Sequence, residues 1–291
     1  MIHFISRLAL IVLLLCLAPN IVYGAHLAIG SWQTTGSEVW RTTFPISSAS
    51  DMINGASELY YPHSGNYLTA SYENEIATNK KLRIEGGIMA DINNAVGSDS
   101  DWDYSKSNNV QYYGEFSTTG KSNFINVDLI KPINRTTDLF YGYSYRMNHF
   151  RMQNGTYKIW NYGSINENFS NLDSYYSTIY QGLHVGLTAK APISNKVLAI
   201  GTLSYSPLAI AQGHGWWNLR GLDFKHQAPA QMFDGSIGID WRPTQTTSIT
   251  IGYRYQRMFI TKGWENLSPT ITWEKATSIQ QGFYITGKNK F

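Results

Sequence analysis

Apolar and polar residues alternate with a period of two on both sides of four short turn segments. Ahead of one turn, Leu183, Val185 and Leu187 alternate with His184 and Gly186. Successive side chains of a β-strand point to opposite faces, so this period predicts strands with one apolar and one polar face. The four turns lie at residues 75–81, 131–135, 192–196 and 243–247. The sequence therefore predicts four β-hairpins.

The number of strands and the lengths of their connections point to a closed barrel. The hairpins supply eight strands, and a first strand near residues 27–40 and a last one near 278–291 bring the total to about ten. Longer polar segments separate the hairpins at residues 42–57, 94–109, 152–177, 207–229 and 262–276. Short periplasmic turns and long extracellular loops are the asymmetry of outer-membrane barrels. We therefore predict an all-β, transmembrane antiparallel β-barrel in the cell outer membrane. A secreted β-sandwich, the alternative, gives no reason for this asymmetry.

The composition agrees with strands that lie partly in lipid. Charged residues make up only 15% of the chain and aromatic residues 14%, with Tyr at 20 positions. Tyr and Trp anchor barrels at the two membrane interfaces. The net charge of +3 is small, and the basic residues are not gathered in one segment, so a nucleic-acid partner is not expected.

The first residues have the pattern of a signal peptide. Arg7 supplies a positive charge, residues 8–17 an apolar core, and residues 22–24 a cleavage site. That core is shorter than the roughly 20 residues of a membrane-spanning helix. We therefore predict a signal peptide at residues 1–24 and one barrel domain at residues 25–291. Because the only cysteine, Cys16, lies in the signal segment, the mature barrel would contain no disulfide.

The polar segment at residues 94–109 holds the first candidate site. Asp99, Asp101 and Asp103 stand at alternate positions. Carboxylates this close repel one another, so that one keeps its proton, or the group holds a water or a cation. The alternative is a solvated acidic loop, since Asp favours turns. The histidines lack the spacing of a zinc site, so neither a metal site nor a cofactor is predicted.

The Asp-x-Asp-Trp motif at Asp99, Asp101 and Trp102, in the second long segment of a ten-stranded barrel, resembles the omptin family of outer-membrane proteases. The resemblance implies that the two aspartates position a water that attacks a peptide bond. It extends to Gly30 and Glu38, which keep the family's interval between a strand glycine and the glutamate that binds a basic substrate side chain. On this basis the chain would be an aspartic-type endopeptidase acting on peptides or proteins.

The fourth long segment departs from the omptin pattern. Its Asp-Glu-His triplet is replaced by Gly215, Trp216 and Trp217. A rearranged dyad is one interpretation, with His214 as the base and Asp223 as the carboxylate that orients it. The other is that His214 is a loop residue beside two tryptophans.

The resemblance also bears on partners and on the alternative function. Omptins bind lipopolysaccharide on the outer barrel wall; Tyr143 fits that pattern, whereas Tyr145 and Met147 replace the acid and the arginine. Outer-membrane lipid is thus the expected partner, with lipopolysaccharide as one form of it. Similar barrels in chlamydia-like bacteria, the Protochlamydia-type outer membrane proteins, are not assigned as proteases. The alternative is therefore a non-enzymatic small porin or surface adhesin. A porin would require a hollow interior, although barrels of this size are usually filled by side chains.

Overall fold

The computed structural model describes residues 24–46, 54–107 and 109–291, and every regular element in them is a β-strand. The predicted signal peptide, except for Gly24, lies outside the described residues. Within those residues no helix is both long and apolar enough to cross a membrane. The strands, in chain order, are β1 His26–Phe44, β2 Gly55–Pro62, β3 Gly65–Ala77, β4 Lys80–Asp103, β5 Val110–Pro132, β6 Thr137–Trp160, β7 Gly163–Asn168, β8 Asp173–Ser194, β9 Val197–Trp217, β10 Leu222–Trp241, β11 Thr247–Ile260, β12 Gly263–Glu265 and β13 Thr272–Lys290.

These segments form ten barrel strands. β2 and β3 pair with successive parts of β1 and together make one barrel strand. β11 and β12 do the same beside β10, and β7 only extends β6 as a short hairpin. All neighbours are antiparallel, and pairing of β1 with β13 closes the ring. The predicted all-β antiparallel barrel of about ten strands is confirmed.

The four short turns occur where the alternation places them. β3 and β4 are joined through residues 78–79, β5 and β6 through 133–136, β8 and β9 through 195–196, and β10 and β11 through 242–246. Asn79 has a φ of 58°, a left-handed conformation that asparagine tolerates better than most residues. All four turns lie at one end of the barrel, which we call the turn end; the other end is the mouth.

The outward face is apolar along a broad belt above the turn end. Leu208 and Ile237 are 83% and 71% exposed, and Leu68, Leu183 and Phe283 are exposed to nearly the same extent. A water-soluble protein rarely exposes so continuous an apolar surface. The belt is the surface expected to contact lipid.

The interior near the turn end is polar and ion-paired. As the alternation predicts, the charged residues between the apolar ones point inward: Arg83 lies 2.7 Å from Asp128, and Arg254 lies 2.7 Å from Glu85. Asp240 is also buried and accepts a hydrogen bond from Thr250. The paired charges largely neutralise one another within the barrel.

Towards the mouth the interior becomes aromatic. Tyr61 stacks on Phe150 with ring centroids 4.7 Å apart and on Tyr176 at 6.1 Å. Trp32 stacks on Tyr67 at 5.2 Å. All these rings are fully or almost fully buried, so the barrel contains a packed core at this level.

The long loops expected at residues 94–109 and 207–229 are shorter than predicted. β4 runs to Asp103 and β9 and β10 cover residues 197–217 and 222–241, so Asp99, Asp101, His214 and Asp223 lie on strands. The strands continue because backbone pairing does not require apolar side chains once the outer face meets water. Polar residues and glycines in these stretches hide the alternation that marks the lower strands.

Candidate functional site

Asp99 and Asp101 point into a small cavity at the mouth, which we call the mouth cleft. Its volume is about 120 Å³. Asp99 lies opposite Leu59 of β2 and Gly114 of β5. Exposed polar residues Asp91 and Asn93 on β4 separate the aspartates from the apolar belt. The mouth cleft is therefore outside the lipid-facing part of the barrel.

The two aspartates are half-buried, and their carboxylates have different partners. The hydroxyl of Ser57 donates a hydrogen bond to the carboxylate of Asp101. Among the described residues, Oδ1 of Asp99 is buried without a hydrogen-bond partner. Burial, and next the neighbouring Asp101 carboxylate, raise the pKa of Asp99 well above its usual value; burial also raises the pKa of Asp101. The charge of Arg220 opposes both increases.

Aromatic rings form most of the remaining wall. Trp160 contacts both Tyr112 and Tyr157, with centroid distances of 4.8 and 4.5 Å. Trp217 and Phe224 line the opposite side, where β9 and β10 end and begin. Trp40 lies below them, 5.8 Å from Phe224. The aspartates consequently face rings and the Arg220 guanidinium.

His214 and Asp223 form the dyad that the sequence suggested, but on the outer wall of the barrel. Nε2 of His214 lies 2.5 Å from Oδ1 of Asp223, and the two side chains are 43% and 51% exposed. Gly213 and Gly215 on either side of His214 are buried and face inward, so His214 faces outward. Tyr175, on the same outer surface, meets the His214 ring edge-on at 5.7 Å.

The structure thus brings the predicted residues together as two separate pairs. Asp99 and Asp101 line the mouth cleft, whereas neither His214 nor Asp223 is among the described residues that line it. The separation has a simple cause, since residues one position apart on a strand face opposite sides of a sheet. Trp217, which shares the inward phase of Gly213 and Gly215, lines the mouth cleft instead.

Glu38 is fully buried and does not reach the mouth cleft. Its Oε2 accepts a hydrogen bond from Nδ2 of Asn148 at 2.6 Å. Oε1 is buried without a partner among the described residues. Glu38 therefore sits in the packed interior, near Ser278 and Asn148, rather than in an open pocket for a substrate side chain.

The sequence did not single out the buried pair that His226 forms with Glu265 inside the barrel. Nε2 of His226 lies 2.8 Å from Oε2 of Glu265, and Nδ1 lies 3.0 Å from the Tyr176 hydroxyl. The His226 ring stacks on Trp273 with centroids 4.9 Å apart. His226 shares the phase of the buried Ala228, a signal that could have placed it inward. Its pairing with Glu265 of β12 could not be read from either strand alone.

We expect Asp99→Asn to stabilise the barrel at neutral and alkaline pH. The pKa of Asp99 is higher in the folded chain than its ordinary value of 3.8. Its contribution to stability is therefore fully present below pH 3.8 and is lost as the pH rises through the pKa of the folded state. Asparagine removes this loss, which amounts to about 1.4 kcal/mol for each pKa unit of the shift. The measurement is the urea midpoint of refolded protein between pH 3 and pH 9. The gain should vanish at the acidic end.

Asp103→Asn is the matched control for this prediction. Hydrogen bonds from Ser105 and Tyr162 hold the pKa of Asp103 below its usual value, so its replacement should destabilise the barrel at neutral pH. Two results would contradict the raised pKa of Asp99: an effect of Asp99→Asn on stability that does not depend on pH, or a change in stability at neutral pH that has the same sign in both variants.

Comparisons with known proteins agree with the fold. Residues 136–278 match the family model described as Pom, Protochlamydia outer membrane protein. The crystal structure of the outer membrane protease OmpT from Escherichia coli superposes with a TM-score of 0.69 over 94% of this chain and 98% of that one, at 12% sequence identity. The translocator domain of the autotransporter NalP from Neisseria meningitidis gives 0.37 at 11% identity, over 99% of this chain and 96% of that one. No curated protein matches by sequence.

The likeness to OmpT concerns the fold, since the identity is only 12%. Together with the matched family, it establishes an outer-membrane β-barrel and a location in the outer membrane.

Proposed function

We propose that this outer-membrane β-barrel is a non-enzymatic surface protein of the adhesin or receptor type, which binds a ligand in its mouth cleft without cleaving it. The observation that carries the proposal is the separation of the two pairs of site residues. Asp99 and Asp101 face Trp217 and Arg220, while His214 and Asp223 open on the outer wall. A general base must lie within hydrogen-bond reach of the water that it activates. Neither Trp217 nor Arg220 can replace the histidine base that the omptin arrangement places opposite its aspartates, because neither accepts a proton at neutral pH.

Endopeptidase activity of the omptin kind is the competing proposal, and the same geometry argues against it. It would need the ends of β9 and β10 to change register by one residue so that His214 turned inward. Such a shift would move Trp217 and Phe224 out of the packed wall and expose them. It would also break the ladder of β9 with β8 and β10.

A porin function is also disfavoured by the interior. The stacked rings of Tyr61, Phe150 and Tyr176 close the interior below the mouth. Nearer the turn end, two polar cavities of about 240 and 400 Å³ remain among the paired charges. Ten strands normally leave room for side chains rather than for an aqueous channel. Binding at the mouth is the function that a barrel closed by packed rings can still perform.

Lipid contact is part of this proposal, through the apolar belt on the outer wall. For lipopolysaccharide, Tyr143 faces outward, and its hydroxyl donates a hydrogen bond to Gln181 at 2.6 Å. Arg146, however, points inward and pairs with Asp234 at 3.1 Å. Met147 occupies the position of the omptin pattern's arginine on this strand. We propose general lipid contact rather than an omptin-like requirement for lipopolysaccharide.

The test is a cleavage assay on refolded protein with lipopolysaccharide and a fluorogenic Arg-Arg peptide, with an omptin refolded in the same way as the positive control. Without a positioned base, the rate should be at least ~10²-fold below that of the omptin. Asp99→Ala and His214→Ala should leave the residual signal unchanged. Robust cleavage that either substitution abolishes would overturn the proposal and establish a rearranged catalytic dyad.

A further inference from the structure

We infer that the mouth cleft binds a methylated ammonium group, held between the Asp99 and Asp101 carboxylates and the surrounding aromatic rings. This inference rests on the proposed binding function and adds to it the chemical class of the ligand. It depends on three independent features of the cleft: an unpartnered carboxylate oxygen, an aromatic wall and a cavity of small size.

The unpartnered oxygen is Oδ1 of Asp99. It is buried, it has no hydrogen-bond partner among the described residues, and its side chain lines the cavity. Asp101, two positions along β4, is held by Ser57 and so is fixed in place. A buried polar atom without a partner costs folding free energy. A cation entering the cleft would supply the missing interaction for a carboxylate that is already oriented.

The aromatic wall determines which cations fit best. Trp160 packs against Tyr112 and Tyr157 to form one continuous side, and the indole rings of Trp40 and Trp217 also line the cleft. The quadrupole of an aromatic ring attracts a cation within about 6 Å of its centroid, and several rings around one site recognise methylated ammonium groups. Methyl groups also replace hydrogen-bond donors that this mostly apolar wall could not satisfy.

The volume of the cavity limits the ligand. At about 120 Å³, the cleft has room for a small head group. A cavity measured in this way needs only about 10–15 Å³ to hold one water molecule, so a group of several heavy atoms fits but an extended peptide does not. The occupied part of the ligand would therefore be a head group, with the rest of the molecule outside the mouth.

Arg220 places a positive charge beside the cleft, close to where the cation would bind. It lies in the turn between β9 and β10, it is exposed, and it lines the cleft. Its guanidinium interacts electrostatically with both aspartates. A bound cation would be repelled by Arg220 and attracted by the carboxylates, so removing the Arg220 charge should strengthen binding.

The experiment is a titration of the refolded full chain in detergent with choline, followed by calorimetry and by tryptophan fluorescence. The matched probe is 3,3-dimethylbutan-1-ol, which has the shape of choline but no charge. Choline should bind roughly tenfold or more tightly than the alcohol, because only the charged head group gains from the carboxylates and the ring faces. Folding of each variant is checked by heat-modifiable mobility.

Variants separate the contributions. Asp99→Asn should weaken choline binding by roughly tenfold, and Arg220→Gln should strengthen it. Asp173→Asn, which changes an exposed carboxylate paired with Arg151, should leave binding unchanged. Equal affinities for choline and the alcohol, or no effect of Asp99→Asn in a folded variant, would overturn the inference.

A further arm uses arginine amide as the cation. Tighter binding of arginine amide than of choline, with the same dependence on Asp99, would overturn the assignment to methylated ammonium groups. Failure of this inference is distinct from failure of the proposed function. The inference fails if choline does not bind to a folded chain that also cleaves no peptide; the proposed function fails if peptide cleavage depends on Asp99 or His214.

Discussion

Replacing Arg254 with alanine should cost the barrel about 3–5 kcal/mol of unfolding free energy, the usual effect of leaving buried charges without their partner. Nη2 of Arg254 lies 2.6 Å from Asp234, and Nη1 lies 2.7 Å from Glu85. The guanidinium also lies over the rings of Trp32 and Phe124, at 5.2 and 5.1 Å from their centroids. One substitution therefore removes two ion pairs and two ring contacts. Asp234 retains Arg146 and Gln256. Glu85 keeps the hydrogen bond from the Asn126 amide and the more distant charge of Arg83.

Arg151→Ala is the control for this prediction. Arg151 forms a comparable pair with Asp173, with Nε 2.7 Å from Oδ1, but both side chains are about half exposed. Exposed pairs contribute about 0–1 kcal/mol. The two variants are compared by urea unfolding in detergent and by heat-modifiable mobility. If Arg254→Ala were no more destabilising than Arg151→Ala, the lumenal charges would have to be hydrated rather than buried.

Gly282→Ala should prevent correct closure of the barrel in a large fraction of molecules. A Cβ atom at Gly282 would overlap the backbone carbonyl of Gln33 on β1, and β1 with β13 is the pair that closes the ring. A backbone carbonyl cannot move away as a flexible side chain can, so the two strands would have to separate locally. Overpacking typically costs about 1–3 kcal/mol and more where the backbone must shift. The measurement is the yield of the folded, heat-modifiable form after refolding.

Gly287→Ala tests whether the effect belongs to the close contact rather than to glycine as such. Gly287 lies on the same strand and pairs with β1 opposite Ile29. A Cβ atom there would meet its nearest neighbour, the carbonyl oxygen of Ile29, only at 4.0 Å. The Gly287→Ala variant should therefore refold with the same yield as the wild type. Equal yields for the two variants would show that the closing seam is more adaptable than the packing at Gly282 indicates.

The alternation of side chains was sufficient to predict the barrel. In the halves of the strands nearer the turn end, successive residues alternate between the two faces of the wall. Those on one face meet lipid, which accepts only apolar side chains, and those on the other face meet the lumen. Leu183 and Val185 therefore alternate with His184, whose Nε2 lies 2.7 Å from Asp128 inside the barrel. Each short turn fixes which strands are neighbours in the hairpins. Strand number, direction and the inward phase of Arg83 and Arg254 followed from this local pattern.

Beyond the lipid belt that pattern no longer constrains the sequence, and there the tertiary structure decided the site. Gly213 and Gly215 carry no side chain to reveal which way their strand faces. Their inward orientation is set by contact with Tyr176 of β8 and Phe224 of β10, residues distant in the sequence. That contact turns His214 to the outer wall and leaves Asp99 facing Trp217. Residue types thus determined the barrel, and packing between strands determined which of them meet, because the phase of a strand in water is set by its neighbours.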